Sequence, residues 1–192
     1  PKYNILSEEA GQKNKKSDYT WIIDPLDGTA NFTIHNPLFS VSISLMHKKE
    51  IVLGVVYIPM LNEIYYATKN GNAFKNNKRI SVSNINNIKK SFITYCHGKG
   101  IKNTKKAYKI YEYLHNKARD CRHFGSTTIE LAMVAGGNTE ALIVSKANLW
   151  DIAAGIILIK EAGGNITTWE NKKWNTKSKS LLASNKIMHN KL

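Results

Sequence analysis

Along residues 39 to 46, FSVSISLM, apolar and polar side chains alternate without a break, the period of a strand with one face buried. Two further apolar runs follow, IVLGVVY at 51 to 57 and EIYYA at 63 to 67, with turn signals at Asn70-Gly71 and Asn76-Asn77. Residues 39 to 83 therefore predict an antiparallel meander, and Tyr19 to Ile23 reads as a strand ahead of it. After residue 100 the period changes. Ala107, Ile110, Tyr111 and Leu114 recur at spacings of three and four, predicting a helix over 105–117. Thr127-Thr128-Ile129-Glu130 reads as a capping box that opens a second helix running to Gly136-Gly137. A short strand at 140–144, a helix from Asp151 to Ala162 closed by Gly163-Gly164, and a strand at 180–183 complete the pattern. Ile152, Ile156 and Ile159 line one side of that helix, and Ile157 and Leu158 widen the side enough to predict burial. Helices mixed with largely antiparallel strands predict an α+β fold of layered sheets and helices rather than a doubly wound parallel sheet.

Composition adds bounds. The 192 residues are 42% hydrophobic, enough for one domain spanning 1–192. No apolar run reaches eighteen residues, and Pro1-Lys2-Tyr3-Asn4 does not open like a secretory signal, so a cytoplasmic protein with no membrane partner is expected. The formal charge of +14 raises the question of nucleic acid, but only Arg79, Arg119 and Arg122 are arginines. Lys, Asn and Ile are abundant in loops and strands alike, as AT-rich coding would produce. An anionic substrate is favoured under either explanation. Cys96 and Cys121 show no CxxC or Cys/His ligand spacing and are expected to be reduced and structural. The six histidines have no metal-ligand spacing, and GxGxxG and P-loop patterns are absent.

The candidate chemistry is acidic. Asp24-Pro25-Leu26-Asp27-Gly28-Thr29 presents two carboxylates and a carbonyl at a strand end, the oxygen set that Mg²⁺ takes. On this motif alone, metal binding and a plain pair of turns are evenly matched. Gly28 and Thr29 suit an anion nest. Glu8-Glu9 by itself reads as a solvated pair, and Asp151, after Trp150, by itself reads as a helix cap with a hydrophobic staple. The turn Arg122-His123-Phe124-Gly125-Ser126-Thr127 precedes a helix whose free amides suit phosphate, with ordinary capping compatible alongside.

In this order, Ser7-Glu8-Glu9, DPLDGTANF, RHFGST and WDIAAGIILIKEAGG strongly resemble the inositol monophosphatase family, over about residues 5 to 183. The resemblance implies an αβαβα sandwich and a phosphomonoesterase acting on inositol-1-phosphate or a related small polyol or sugar phosphate. It implies two or three Mg²⁺ ions held by Glu8, Asp24, the Leu26 carbonyl, Asp27 and Asp151. One ion would activate water and a second would stabilise the leaving oxygen, without a covalent intermediate. Glu8, Asp24 and Thr29 become the catalytic group. Gly28 and Thr29 would bind the phosphate, Gly125, Ser126 and Thr127 would line the alcohol side, and Leu26, Asp27 and Asp151 would also meet the substrate. Homodimers and lithium sensitivity are implied as well.

Departures are specific. Val144 stands where the family carries a glutamate that contacts inositol hydroxyls, next to an atypical Ser145-Lys146, and His35 is displaced by one position. The end of the chain, at Lys191-Leu192, is slightly short of the family pattern. The chain begins at the equivalent of the strand before Glu8, so the family's two N-terminal helices are expected to be missing, with one sheet face uncovered. Two alternatives accompany the phosphatase reading. One is a non-catalytic or degenerate family member with a binding role at RNA and the transcription machinery, of the kind that bacterial relatives of the family include. The other is a 3′-phosphoadenosine nucleotidase, against which DGTANF argues.

Overall fold

The alternating runs of the first half pair into one eight-stranded sheet. In this computed structural model, which describes residues 2–97 and 101–192, its strands are β1 Asn4–Ser7, β2 Gly11–Lys13, β3 Tyr19–Asp27, β4 Ser40–His47, β5 Glu50–Ile58, β6 Glu63–Thr68, β7 Ala73–Lys75 and β8 Lys78–Ile80. They are ordered β2-β1-β3-β4-β5-β6-β7-β8. From β3 to β8 every neighbour is antiparallel, as the meander predicts; only β1 and β3 run parallel. Asn76 and Asn77 both take positive φ, the backbone that a two-residue hairpin between β7 and β8 requires.

A second, five-stranded sheet follows from β9 Phe92–Cys96, β10 Asp120–Arg122, β11 Ala141–Val144, β12 Asn165–Thr167 and β13 Leu181–Ser184, ordered β10-β9-β11-β13-β12. Its centre is parallel and its β13 side antiparallel. Strands β9, β10 and β12 carry no alternation to betray them. They are three to five residues long, and β9, FITYC, is largely buried at successive positions.

Among the described residues four α-helices accompany the sheets: α1 Thr29–Thr33, α2 Ile101–His115, α3 Thr127–Ala135 and α4 Leu149–Glu161. Helices α3 and α4 lie between the two sheets, and α2 covers the outer side of the second, so the described residues stack as sheet, helix pair, sheet, helix. This is the layered α+β arrangement expected from the pattern. Being sandwiched explains why α4 is buried from Ile152 to Ile159 without interruption.

Two helix starts differ from expectation. The α3 cap is Ser126, whose Oγ accepts from Ile129 N, so Thr127 is already helical and Glu130 falls one position past the capping-box site. Helix α4 begins at Leu149, capped at Asn148, with Asp151 inside its first turn. Strand β4 places its serines inward. Ser40, Ser42 and Ser44 are buried toward the helices, while Val41, Ile43 and Leu45 lie on the outer face of the sheet.

Close approach of α3 and α4 depends on Gly155. A Cβ there would stand 2.5 Å from Leu131 Cβ and 2.4 Å from its Cδ1, and the former cannot swing away. Gly155→Ala is expected to destabilise the protein by about 1–3 kcal/mol despite the better helix propensity of alanine. Chemical denaturation midpoints measure this, and an unchanged or raised midpoint would contradict the packing described.

Candidate metal centre

Parallel pairing of β1 with β3 sets Ser7 opposite Ile23, and the ladder continues as Glu8 N donates to Ile23 O at 3.3 Å. Glu8 therefore emerges beside Asp24. In a regular strand Asp24 and Asp27, three apart, would point to opposite faces. The pairing with β4 slips by one residue between them: Asp24 lies opposite Ser42 and Asp27 opposite Ser40, both inward serines. A bulge at Pro25-Leu26 thus turns both aspartates to the helix side. Pro25 has no N–H to lose to the ladder there, and Leu26 N donates to Asp24 Oδ1 at 3.0 Å.

Asp151, in the first turn of α4, completes the group. Carboxylate oxygens of Glu8, Asp24 and Asp151 lie within 4.8 Å of one another. Asp151 also accepts from Asn148 N at 2.7 Å, so it caps its helix and joins the cluster at once. Asp24 is only 1% exposed. Burial, then the nearby charge of Asp27, push its carboxyl up to about 7, with Glu8 and Asp151 adding to the effect. Asp151 is raised to about 6, chiefly by burial. Among the described residues, the ion pairs formed by Lys69, Lys75 and Arg122 all go to other acids, Glu50, Glu63 and Asp120. Among the described residues no lysine or arginine ion pair neutralises the cluster, in a chain with 28 lysines and arginines.

Asp27 is held differently. Its Oδ2 accepts from Ser126 Oγ at 2.6 Å, Thr128 N at 2.8 Å and Thr128 Oγ1 at 2.7 Å, so the anion at the α3 N-terminus is this aspartate. Those bonds join the DPLDGT turn to the Gly125-Ser126-Thr127 turn. Thr29, exposed at the start of α1, donates to the Leu26 carbonyl at 3.2 Å. Gly28, at φ 86°, lets the chain turn there, and a Cβ would meet Leu38 O at 2.9 Å and Ser126 Cβ at 3.2 Å. Glu8, Asp24 and Asp151 thus form one cluster, and Leu26, Asp27, Gly28, Thr29, Gly125, Ser126 and Thr127 lie on the turns bonded around it. Glu9 remains an exposed turn residue, and Val144 ends β11 with its side chain buried.

Two residues take supporting roles that the sequence did not signal. Asn31 Nδ2 donates to Leu38 O at 2.7 Å and to Phe124 O at 2.6 Å, tying the two turns together across 93 positions of sequence. Buried Glu130 accepts from Phe124 N at 2.9 Å and Gly125 N at 3.2 Å. An apolar cavity of about 370 Å³ beside Ile110, Leu114, Ile143 and Leu182 lies on the outer side of the second sheet and holds none of the acidic residues.

Comparison with known proteins finds relatives over the full length of this chain. The model of the inositol monophosphatase family matches residues 1–192. A fructose-1,6-bisphosphatase/inositol-1-monophosphatase of Thermotoga maritima is 37% identical over 192 residues, covering all of this chain and 72% of that protein. The structure of an inositol monophosphatase from Anabaena (Nostoc) sp. PCC 7120 superposes with a TM-score of 0.95 at 32% identity, over all of this chain and 77% of the other. A Nus factor SuhB of Pasteurella multocida is 37% identical over 168 residues, 85% of this chain and 62% of that protein.

The raised Asp24 carboxyl has a measurable consequence in chelator. The folded protein holds this proton up to about pH 7 whereas the unfolded chain releases it near 3.8. Its stabilising contribution is therefore full below about pH 4 and is lost as pH rises through 7. Asp24→Asn is expected to melt higher than the parent at pH 8, with the gap narrowing toward pH 4. A variant no more stable than the parent at pH 8 would refute the crowding.

Proposed function

The chain belongs to the inositol monophosphatase family, and from that premise we propose that it is a Mg²⁺-dependent phosphomonoesterase for inositol-1-phosphate or a related small polyol or sugar phosphate. The observation that carries this reading is the unneutralised group of Glu8, Asp24 and Asp151, with Asp24 buried at its centre. Carboxylates this crowded fit a hard divalent cation, which relieves their repulsion and takes oxygen donors. Glu8, Asp24, Asp27, Asp151 and the Leu26 carbonyl would hold two or three ions. Bound Mg²⁺ supplies Lewis acidity and lowers the pKa of water.

The remaining work falls to the chain. Asp27, its Oδ2 fixed by three donors, would offer its other oxygen to an ion. Thr29 carries a hydroxyl at the rim, already directed by the Leu26 carbonyl, from which it orients the attacking water. Gly28 allows backbone to approach the phosphate closely. Gly125, Ser126 and Thr127 border the alcohol side, held in register by Asn31 and Glu130. Val144 offers polyol hydroxyls no hydrogen bond, so discrimination among small phosphate esters is relaxed relative to an enzyme with a carboxylate there.

The Nus factor relative and the +14 charge favour a second reading, an RNA-proximal binding role. One experiment separates the two. Phosphate release is measured over a panel of inositol, glycerol, sugar and 3′-nucleotide phosphates, with Mg²⁺ and with chelator, beside salt-dependent RNA binding. The phosphatase reading expects turnover that chelator abolishes and Asp24→Asn lowers at least about 100-fold. Turnover equal to that of the variant on every ester, together with RNA binding that weakens steeply with salt, would replace it.

A further inference from the structure

We propose that Cys96, His123 and Glu130 form a second metal site, separate from the acidic cluster, that takes a thiophilic divalent cation of the zinc type. One ligand atom from each of the three lies within 4.8 Å of the others. The site shares no residue with Glu8, Asp24 or Asp151.

Its assembly follows from the second sheet. Parallel pairing sets Arg122 opposite Thr94, so His123 leaves β10 alongside Tyr95, on whose ring it stacks at 5.5 Å, next to Cys96 at the end of β9. Glu130 comes up from the first turns of α3. Its Oε1 is used by Phe124 N and Gly125 N, which fixes the carboxylate plane. Its Oε2 is buried with no hydrogen-bond partner among the described residues. A fully buried carboxylate oxygen left unpaired costs free energy and calls for an explanation. Cys96 and Thr94 are the polar side chains beside this carboxylate, whose carboxyl burial pushes up to about 8.

The donor set selects the ion. Sulfur, imidazole nitrogen and one carboxylate oxygen suit Zn²⁺ and its close analogues, whereas Mg²⁺ prefers oxygen alone. With metal–ligand bonds of about 2.0–2.3 Å, donors around a tetrahedral ion stand roughly 3.3–3.8 Å apart, so the group needs to close by little more than 1 Å, about a small rotation of one ring. His123 is exposed and supplies both that movement and an entry path to two buried partners. The fourth position falls to water or to His97, whose ring stacks on His123 at 5.4 Å. On binding, the Cys96 sulfur–hydrogen bond and the Glu130 carboxyl oxygen–hydrogen bond both break, both protons go to solvent, and sulfur–metal and oxygen–metal bonds take their places.

Co²⁺ provides the probe. The full chain, stripped of metal and supplied with excess Mg²⁺ to occupy oxygen sites, is titrated with Co²⁺ and followed by absorption. The expected result is a thiolate-to-cobalt charge-transfer band that saturates at one equivalent and is displaced by Zn²⁺. Cys96→Ser removes the band and Asp24→Asn keeps it. His123→Ala, an exposed position that leaves folding intact, weakens Co²⁺ binding at least about 10-fold. Absence of the band in the parent, its persistence in Cys96→Ser, or unchanged affinity in His123→Ala would each overturn the site.

Discussion

One slipped residue, at Pro25-Leu26, organises the site. Without that bulge β3 would send Asp24 and Asp27 to opposite faces, one of them away from the helices. With it, both aim inward between the sheet and α3 and α4, and the parallel neighbour β1 adds Glu8 from the side. Like charges at this spacing are unfavourable in a buried place, as the upward shift of Asp24 records. The fold tolerates them because three of the four carboxylates have fixed anchors: Leu26 N for Asp24, Asn148 N for Asp151, and the α3 N-terminus for Asp27.

Those anchors in turn depend on how close the helices come. Helix α4 presses against β5 through small residues on both sides; a Cβ on Gly54 would lie 2.8 Å from Ala154 Cα. The inward serines of β4 belong to the same economy of space. Ser40 Oγ reaches Thr128 Oγ1 and Ser126 Oγ, the same two hydroxyls that donate to Asp27. A larger apolar side chain at Ser40 would keep the alternation of β4 and break this hydroxyl network. The burial of small polar groups between sheet and helix is therefore what lets a charged residue lie half-buried at the helix end.

This is also where the sequence stops being legible. The period-2 run of β4 reveals a strand but not which side faces in, because the usual assumption, apolar inward, fails where hydroxyls are needed inside. Thr127-x-x-Glu130 has the letters of a capping box, yet Ser126 caps, since its hydroxyl also serves Asp27, and Glu130 is drawn to the amides of Phe124 and Gly125. DPLDGT and WDIAAG are readable as a family pattern, and α4 as a buried helix, because each is contiguous. Cys96, His123 and Glu130 are not, since only the pairing of β9 with β10 and the placement of α3 join them.

Charge finally orders events at the acidic cluster. Four of the fourteen acidic residues gather there, leaving ten against 28 basic ones over the rest of the chain. At a distance, beyond about one Debye length, the molecule is a cation and draws anions toward it, to the extent that salt permits. Within a few ångströms the sign reverses. A phosphate ester approaching Glu8, Asp24, Asp27 and Asp151 meets like charge in a partly desolvated place, where such repulsion is strongest. Lysines that steer from outside cannot cancel it, for none is paired with these carboxylates among the described residues. Under the phosphatase reading the carboxylates must therefore be neutralised by cation before phosphate can enter, and the order of binding is imposed by the residues rather than chosen by the ligand.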